Sequence, residues 1–122
     1  MEISELVGKT LTHASGSVGD HVIRFEANDG SVYQMFHAQD CCEGVSVEDI
    51  CGDLQDLVGI PIISAEESKS CTNPEGVNPA YQDDSFTWTF YRIATAKGLV
   101  VIRWYGSSNG CYSESVDFEK VT

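Results

Sequence analysis

The sequence predicts one domain of mainly antiparallel β structure, and three observations lead to this fold class. The chain has 122 residues, which is enough for one hydrophobic core and too short for two. Apolar residues make up 42% of it, an ordinary share for a folded protein. Runs rich in β-branched and aromatic residues alternate with short turn segments. We therefore expect an all-β or α+β domain over residues 1–122, with a curved antiparallel sheet of about six to eight strands packed around one short helix.

The N-terminal part of the chain predicts a strand followed by a hairpin. Lys9 to His13 is a candidate short strand. His21 to Ala27 (HVIRFEA) and Ser31 to His37 (SVYQMFH) have the composition of strands. Between them lies Asn28-Asp29-Gly30, whose residues tolerate positive φ angles. This hairpin is the clearest local signal in the sequence.

The middle of the chain predicts the single helix and a long loop. Val45 to Ile50 suits a strand or the beginning of a helix. Asp53 to Val58 has helical spacing with an acidic start, and Gly59 and Pro61 would end it. Ile60 to Ala65 is apolar and expected to be extended. Ser68 to Asp84 is polar and contains Pro and Gly, so we expect a long loop there.

The C-terminal third predicts three further strands. Ser85 to Thr95 and Leu99 to Tyr105 are apolar or aromatic on both faces, and Lys97-Gly98 predicts the turn between them. Gly106 to Gly110 predicts a second turn. Cys111 to Phe118 alternates apolar and polar residues, as a half-exposed strand does.

The charge of the chain is strongly negative and unevenly placed. The formal net charge is −12, and residues 40–84 hold eleven acidic residues and one lysine. Such a charge repels nucleic acid and anionic membranes and attracts a basic partner, although it can also serve solubility alone. We therefore expect no direct nucleic-acid partner and no membrane partner.

The compartment follows from the N-terminal segment and the cysteines. No apolar run approaches the roughly 18 residues that span a bilayer, and residues 1–9 lack the pattern of a signal peptide. The five cysteines are an odd number, so a secreted disulfide framework is not expected. We expect a cytoplasmic protein with reduced thiols.

One candidate for chemistry is the segment that contains His37, Cys41, Cys42 and Glu43. Imidazole, thiolate and carboxylate are the ligands that zinc uses, and His37 with a nearby cysteine could form a nucleophilic pair. However, the chain contains no Cys-x-x-Cys spacing, and the many carboxylates nearby disfavour a thiolate. We therefore expect no cofactor and no metal, and keep a metal- or thiol-dependent enzyme as an alternative.

The second candidate is a ligand site on the C-terminal strands, where arginines stand beside aromatic residues. A guanidinium group can stack on a base or hold a phosphate with two hydrogen bonds. In the alternative interpretation the aromatic residues form the core, and a carboxylate such as Asp117 or Glu114 pairs with Arg103. The predicted ligand-binding residues are Arg92, Arg103, Trp104, Tyr105, Asn109 and Tyr112.

Four strings of the sequence resemble a family of short, uncharacterised domains found in phage, prophage and bacterial genomes. They lie at residues 37–43 (HAQDCCE), 47–53 (VEDICGD), 86–91 (FTWTFY) and 103–116 (RWYGSSNGCYSESV). The resemblance covers roughly residues 20–120. It implies an origin rather than an activity.

Small phage accessory proteins often block host immunity or sequester nucleotide signals, and by analogy we expect a non-enzymatic binding protein that counteracts host defence. It would bind a small anionic, nucleotide-like signal, or use its acidic stretch to occupy a basic host defence protein, in the host cell cytoplasm. The alternatives are the enzyme described above and a structural protein that forms homo-oligomers.

Overall fold

Eight strands make up most of the part of the chain that the structure describes. The structure is a computed structural model and describes residues 2–38, 43–70, 85–108 and 115–121. The strands are β1 (Leu11–Ser15), β2 (Val22–Ala27), β3 (Val32–Phe36), β4 (Gly44–Cys51), β5 (Ser64–Ser70), β6 (Ser85–Thr95), β7 (Gly98–Ser108) and β8 (Asp117–Lys120). The mainly β fold class predicted from the sequence is therefore confirmed.

The strands form two four-stranded antiparallel sheets. The first sheet has the order β1-β2-β3-β8 and the second has the order β4-β7-β6-β5. Buried side chains of both sheets belong to one hydrophobic cluster, including Phe25 and Met35 from the first sheet and Ile93 and Ile102 from the second. The core thus lies between two sheets. The predicted arrangement, a curved sheet packed around a helix, is wrong in this respect, since the core is formed by two sheets that face each other.

The predicted N-terminal hairpin is formed by β2 and β3. Its register pairs Val22 with Phe36 and Glu26 with Val32. Gly30 has a φ of 88°, which the turn requires and which a residue with a side chain rarely adopts. The preceding strand also forms, and it runs from Leu11 to Ser15 rather than from Lys9 to His13.

The predicted helix at Asp53 to Val58 is a single 3₁₀ turn, Leu54–Leu57. The Asp53 side chain caps it by accepting a hydrogen bond of 2.9 Å from the Gln55 N–H. A second 3₁₀ turn, Ile3–Leu6, buries Ile3 and Leu6 and has no counterpart in the sequence analysis. Within the described residues there is no helix longer than these two turns. No helix in that part of the chain is long and apolar enough to cross a membrane.

The C-terminal strands differ from the prediction in their ends and partners. Strand β7 continues to Ser108, through the first part of the turn predicted at residues 106–110. The last strand, Asp117–Lys120, pairs with β3 in the first sheet and not with β7. Residues 111–114 of the predicted last strand lie outside the described residues.

Two further predictions concern the middle of the chain. Val45 to Ile50 lies within a strand, one of the two alternatives for that segment. Ser68–Ser70, predicted as the start of a long loop, form the end of β5 instead. The remainder of that predicted loop, residues 71–84, lies outside the described residues.

Candidate functional site

Strands β6 and β7 lie in the middle of the second sheet and present different side chains on their two faces. Because successive side chains of a strand point to opposite faces, the register that pairs Trp88 with Tyr105 and Phe90 with Arg103 puts these four on one face. The opposite face carries Ile93 and other members of the shared core. We call the first face the outer face; its residues are Phe86, Trp88, Phe90, Arg92, Arg103 and Tyr105.

Arg103 is held on the outer face by a carboxylate and a ring. Its Nε–H donates a hydrogen bond of 2.5 Å to Glu48 Oε2, and its guanidinium carbon lies 5.2 Å from the centre of the Trp88 ring. Glu48 lies where the register of β4 shifts between Val47 and Asp49. Within the described part of the chain, Nε is the atom of this guanidinium that makes a hydrogen bond, and the side chain is partly exposed.

Arg92 is the more exposed of the two arginines on this face. Its Nη1 donates a hydrogen bond of 2.8 Å to the Ser68 hydroxyl. Its guanidinium carbon lies 5.5 Å from the centre of the Phe90 ring. Each arginine therefore stacks on an aromatic ring, an arrangement that orients the planar guanidinium and retains donors for an anion.

A small aromatic cluster lies beside the arginines. The Tyr105 ring is 4.7 Å from the Trp88 ring at an angle of 57°, and 6.1 Å from the Phe86 ring at an angle of 24°. Trp88 is fully buried, yet it does not belong to the core that the two sheets share. Phe86 and Tyr105 are half-buried, so part of each of these two residues is exposed at the surface.

Three of the six predicted ligand-binding residues, Arg92, Arg103 and Tyr105, lie on the outer face. Trp104 lies on the opposite face and is fully buried in the core, because a residue between two outward-facing neighbours on a strand must point inward. Asn109 and Tyr112 lie outside the described residues.

Sequence reasoning did not identify Glu48 as the partner of Arg103. It named Asp117 or Glu114, on the assumption that the next strand would pair with β7. Asp117 lies on β8 in the first sheet, where its carboxylate accepts a hydrogen bond of 3.2 Å from the Ala38 N–H. Glu114 lies outside the described residues. The correction follows from strand order, since β4 and not β8 is the neighbour of β7.

His37, the centre of the predicted metal or thiol site, takes part in a buried pair. Its Nδ1 lies 2.7 Å from the Ser115 carbonyl oxygen, to which it donates, and its Nε2 lies 3.2 Å from Glu43 Oε1. The side chains of His37 and Glu43 are 5% and 0% exposed. With both ring nitrogens engaged, the imidazole has no lone pair directed at a metal or a substrate.

The cysteines of that predicted site, Cys41 and Cys42, lie outside the described residues. Cys51 is free and exposed. Among residues 2–38, 43–70, 85–108 and 115–121, no group of three or more His, Cys, Asp or Glu side chains could hold a metal ion.

Comparison with known proteins identifies a family and no activity. A family model described as a domain of unknown function, DUF7448, matches residues 4–118. No curated protein and no solved structure matches the chain.

Proposed function

The chain belongs to the DUF7448 family of domains of unknown function, and from the geometry of the outer face we propose that it is a non-enzymatic binding protein for a small anionic, nucleotide-like ligand. The ligand would place its phosphate or carboxylate on Arg92 and Arg103. Its planar part would stack on the exposed portions of the nearby aromatic rings.

The observation that carries the proposal is the position of two arginines around one aromatic ring. Arg103 is directly across from Phe90 on the neighbouring strand, and Arg92 is two residues farther along the strand of Phe90. All three side chains are on the same face, so their spacing is that of diagonal neighbours in a sheet, about 5–8 Å. A phosphate with an attached planar base requires this combination of charged donors and ring faces.

Binding fits the arrangement better than catalysis does. The guanidinium groups and rings of the outer face are not general bases at neutral pH, and the Glu48 carboxylate beside them is engaged by the Arg103 Nε–H. The buried imidazole of His37 already has both nitrogens engaged. A reaction would need a base or nucleophile within reach of the ligand.

The biological role we propose comes from the resemblance to short phage and prophage domains. A protein of this kind that binds a nucleotide signal would remove it from a host defence pathway. This part of the proposal rests on analogy between families rather than on a contact in the molecule.

Calorimetric titration with a panel of linear and cyclic nucleotides tests the proposal. For each ligand that binds, Arg92→Ala and Arg103→Ala should weaken binding about 10- to 100-fold, because a charge-assisted hydrogen bond contributes about 1.5–3 kcal/mol. Arg103→Lys should not restore the affinity, since an ammonium group lacks the forked geometry.

Arg24→Ala is the matched control. Arg24 is also an exposed strand arginine, but it lies on β2 in the first sheet, 3.5 Å from Glu26. Its loss should leave the affinity unchanged. Melting temperatures of all variants separate lost binding from lost folding. Equal affinities for the three alanine variants, or no binding of any nucleotide at millimolar concentration, would contradict the proposal.

A second candidate function follows from the charge. Among the described residues, Lys9, Arg24, Lys69 and Arg103 each lie within salt-bridge distance of a carboxylate, and the whole chain carries a net charge of −12. An acidic surface of this kind suits a basic groove on a host defence protein. Such binding would weaken steeply with added salt and would survive Arg103→Ala.

Native mass spectrometry of the purified protein would report both the oligomeric state and any retained small molecule in one measurement.

A further inference from the structure

Thr89 and Trp104 face each other on the inner side of the second sheet. They are directly paired across β6 and β7, and their exposures are 1% and 0%. Trp104 belongs to the core that the two sheets share. At directly opposed positions of an antiparallel pair the Cβ atoms are about 4.5–5.5 Å apart, so the two side chains enter the interior from neighbouring positions.

Both polar atoms are buried. Neither Thr89 Oγ1 nor Trp104 Nε1 has a hydrogen-bond partner within the described part of the chain. A buried donor or acceptor left unsatisfied is destabilising, and native proteins rarely retain one. Two such atoms on paired residues therefore indicate a shared partner rather than two independent costs.

The neighbouring polar groups do not supply that partner. On the C-terminal side of Thr89, the next hydroxyl on the same face of β6 belongs to Tyr91, and it donates to the Val116 carbonyl oxygen over 3.4 Å. Farther along this face, Thr95 Oγ1 donates to the Asp56 carbonyl oxygen over 2.8 Å. Of the three residues Thr89, Tyr91 and Thr95, Thr89 is the one whose hydroxyl has no hydrogen-bond partner within the described residues.

The chemistry of the two atoms defines what would satisfy both. An indole N–H can only donate, whereas a threonine hydroxyl can donate and accept. A molecule that satisfies both must accept one hydrogen bond from the indole and make a second with the hydroxyl. Ordered water does this in protein interiors, where it typically makes about three hydrogen bonds to otherwise unsatisfied groups.

We propose that Thr89 Oγ1 and Trp104 Nε1 form a binding site for one buried water molecule on the inner side of the second sheet. The site lies on the opposite face of β6 and β7 from the proposed ligand surface and does not depend on it. The water accepts from the Trp104 indole and links it to the Thr89 hydroxyl.

Thr89→Val tests the site, because valine keeps the shape of threonine and removes the hydroxyl. If water bridges the two atoms, the substitution removes one of its partners, and the melting temperature should fall by several degrees. If the hydroxyl is simply buried and unpaired, removing it ends a desolvation cost and the melting temperature should rise. A rise would overturn the proposal.

Thr95→Val is the matched control, since Thr95 is buried on the same face of the same strand and makes a defined hydrogen bond. It should lower the melting temperature, and Thr89→Val should lower it to a similar extent.

A direct observation keeps the proposal testable even if Thr89→Val does not fold. In the wild-type protein, NMR should show a cross-relaxation signal between the Trp104 indole hydrogen and a long-lived water, assigned by its loss in Trp104→Phe. A high-resolution crystal structure should place a water within about 3.2 Å of both atoms. A dry site in that structure would overturn the proposal.

Discussion

Arg103 illustrates how a charged side chain is accommodated in Leu99–Tyr105, a part of β7 whose other residues are apolar or aromatic. Burying part of a guanidinium is costly unless it is paired, and here Glu48 and the Trp88 ring provide the pairing. The sequence alone shows that Arg103 needs a partner. It does not show which one, because Glu48 reaches Arg103 from a register shift in β4 that no local pattern of the sequence predicts.

Trp88 is the residue whose loss should most affect the outer face. Trp88→Ala should destabilise the protein by about 3–5 kcal/mol, because it removes a fully buried large aromatic side chain. Chemical denaturation measures this. Leu99→Ala is the control on the neighbouring strand, where the side chain is 55% exposed; it should change stability by no more than about 0.5 kcal/mol. A loss below about 1 kcal/mol for Trp88→Ala would contradict the burial.

The pair Lys9–Asp29 should give a pH-dependent contribution to stability. The Lys9 ammonium, 2.9 Å away, and the Ser31 N–H hold the pKa of Asp29 well below its ordinary value of 3.8. Because the pKa of Asp29 is lower in the folded state than in the unfolded state, the ionised carboxylate stabilises the fold at pH values above the unfolded-state pKa. This stabilisation is lost as the pH falls toward the folded-state pKa.

Asp29→Asn should therefore lower the melting temperature at pH 7, and the difference from wild type should shrink progressively below about pH 4. The same pair raises the pKa of Lys9, so this contribution persists into the alkaline range. Thermal melts of both proteins from pH 2 to 8 measure the effect. A difference that grows with acidification would refute it.

At the scale of elements, the segments that the sequence predicts well are those whose signal is local. The turn Asn28-Asp29-Gly30 specifies its own backbone and thereby the β2–β3 hairpin. The pairing of β8 with β3 is not local, since it joins Met35 to Phe118 across most of the chain. Likewise, whether Asp53 to Val58 becomes a helix or one 3₁₀ turn depends on the strands around it.

The hairpin turn gives a test at this scale. Gly30→Ala should destabilise the protein by about 1–2 kcal/mol, because a side chain disfavours a φ of 88° even though no other atom lies within 4 Å of the added Cβ. Gly44→Ala is the control, since Gly44 lies in β4 without a positive φ and its added Cβ would meet only Ser107 Oγ at 3.9 Å. Equal effects of the two substitutions would contradict this account of the turn.

At the scale of the whole molecule, strand alternation determines which candidate residues can act together. The sequence places Phe86, Trp88 and Phe90 on one side of a strand, and the structure agrees. The same rule separates Trp104 from Arg103 and Tyr105, so the predicted site is divided between the surface and the core. Which residue of β6 stands beside Arg103 of β7 depends on register, and register is fixed by the turn at Gly98 and by packing rather than by composition.

The state of the cysteines is a property of the whole chain that can be measured directly. The chain has five cysteines, and Cys51 is free and exposed. We expect titration of the denatured, unreduced protein to give close to five thiols, as a reducing compartment would leave it. A value near one would mean that four cysteines are paired.

The central claim is that the outer face of the second sheet binds an anionic ligand, and NMR titration with the nucleotide panel tests it most directly. We expect the ligand to shift the backbone amides of Phe90, Arg92, Arg103 and Tyr105 and the Arg103 Nε–H signal. The backbone amide signals of β2 around Arg24 should keep their chemical shifts. Shifts confined to the first sheet, or a spectrum unchanged by every nucleotide at millimolar concentration, would contradict the claim.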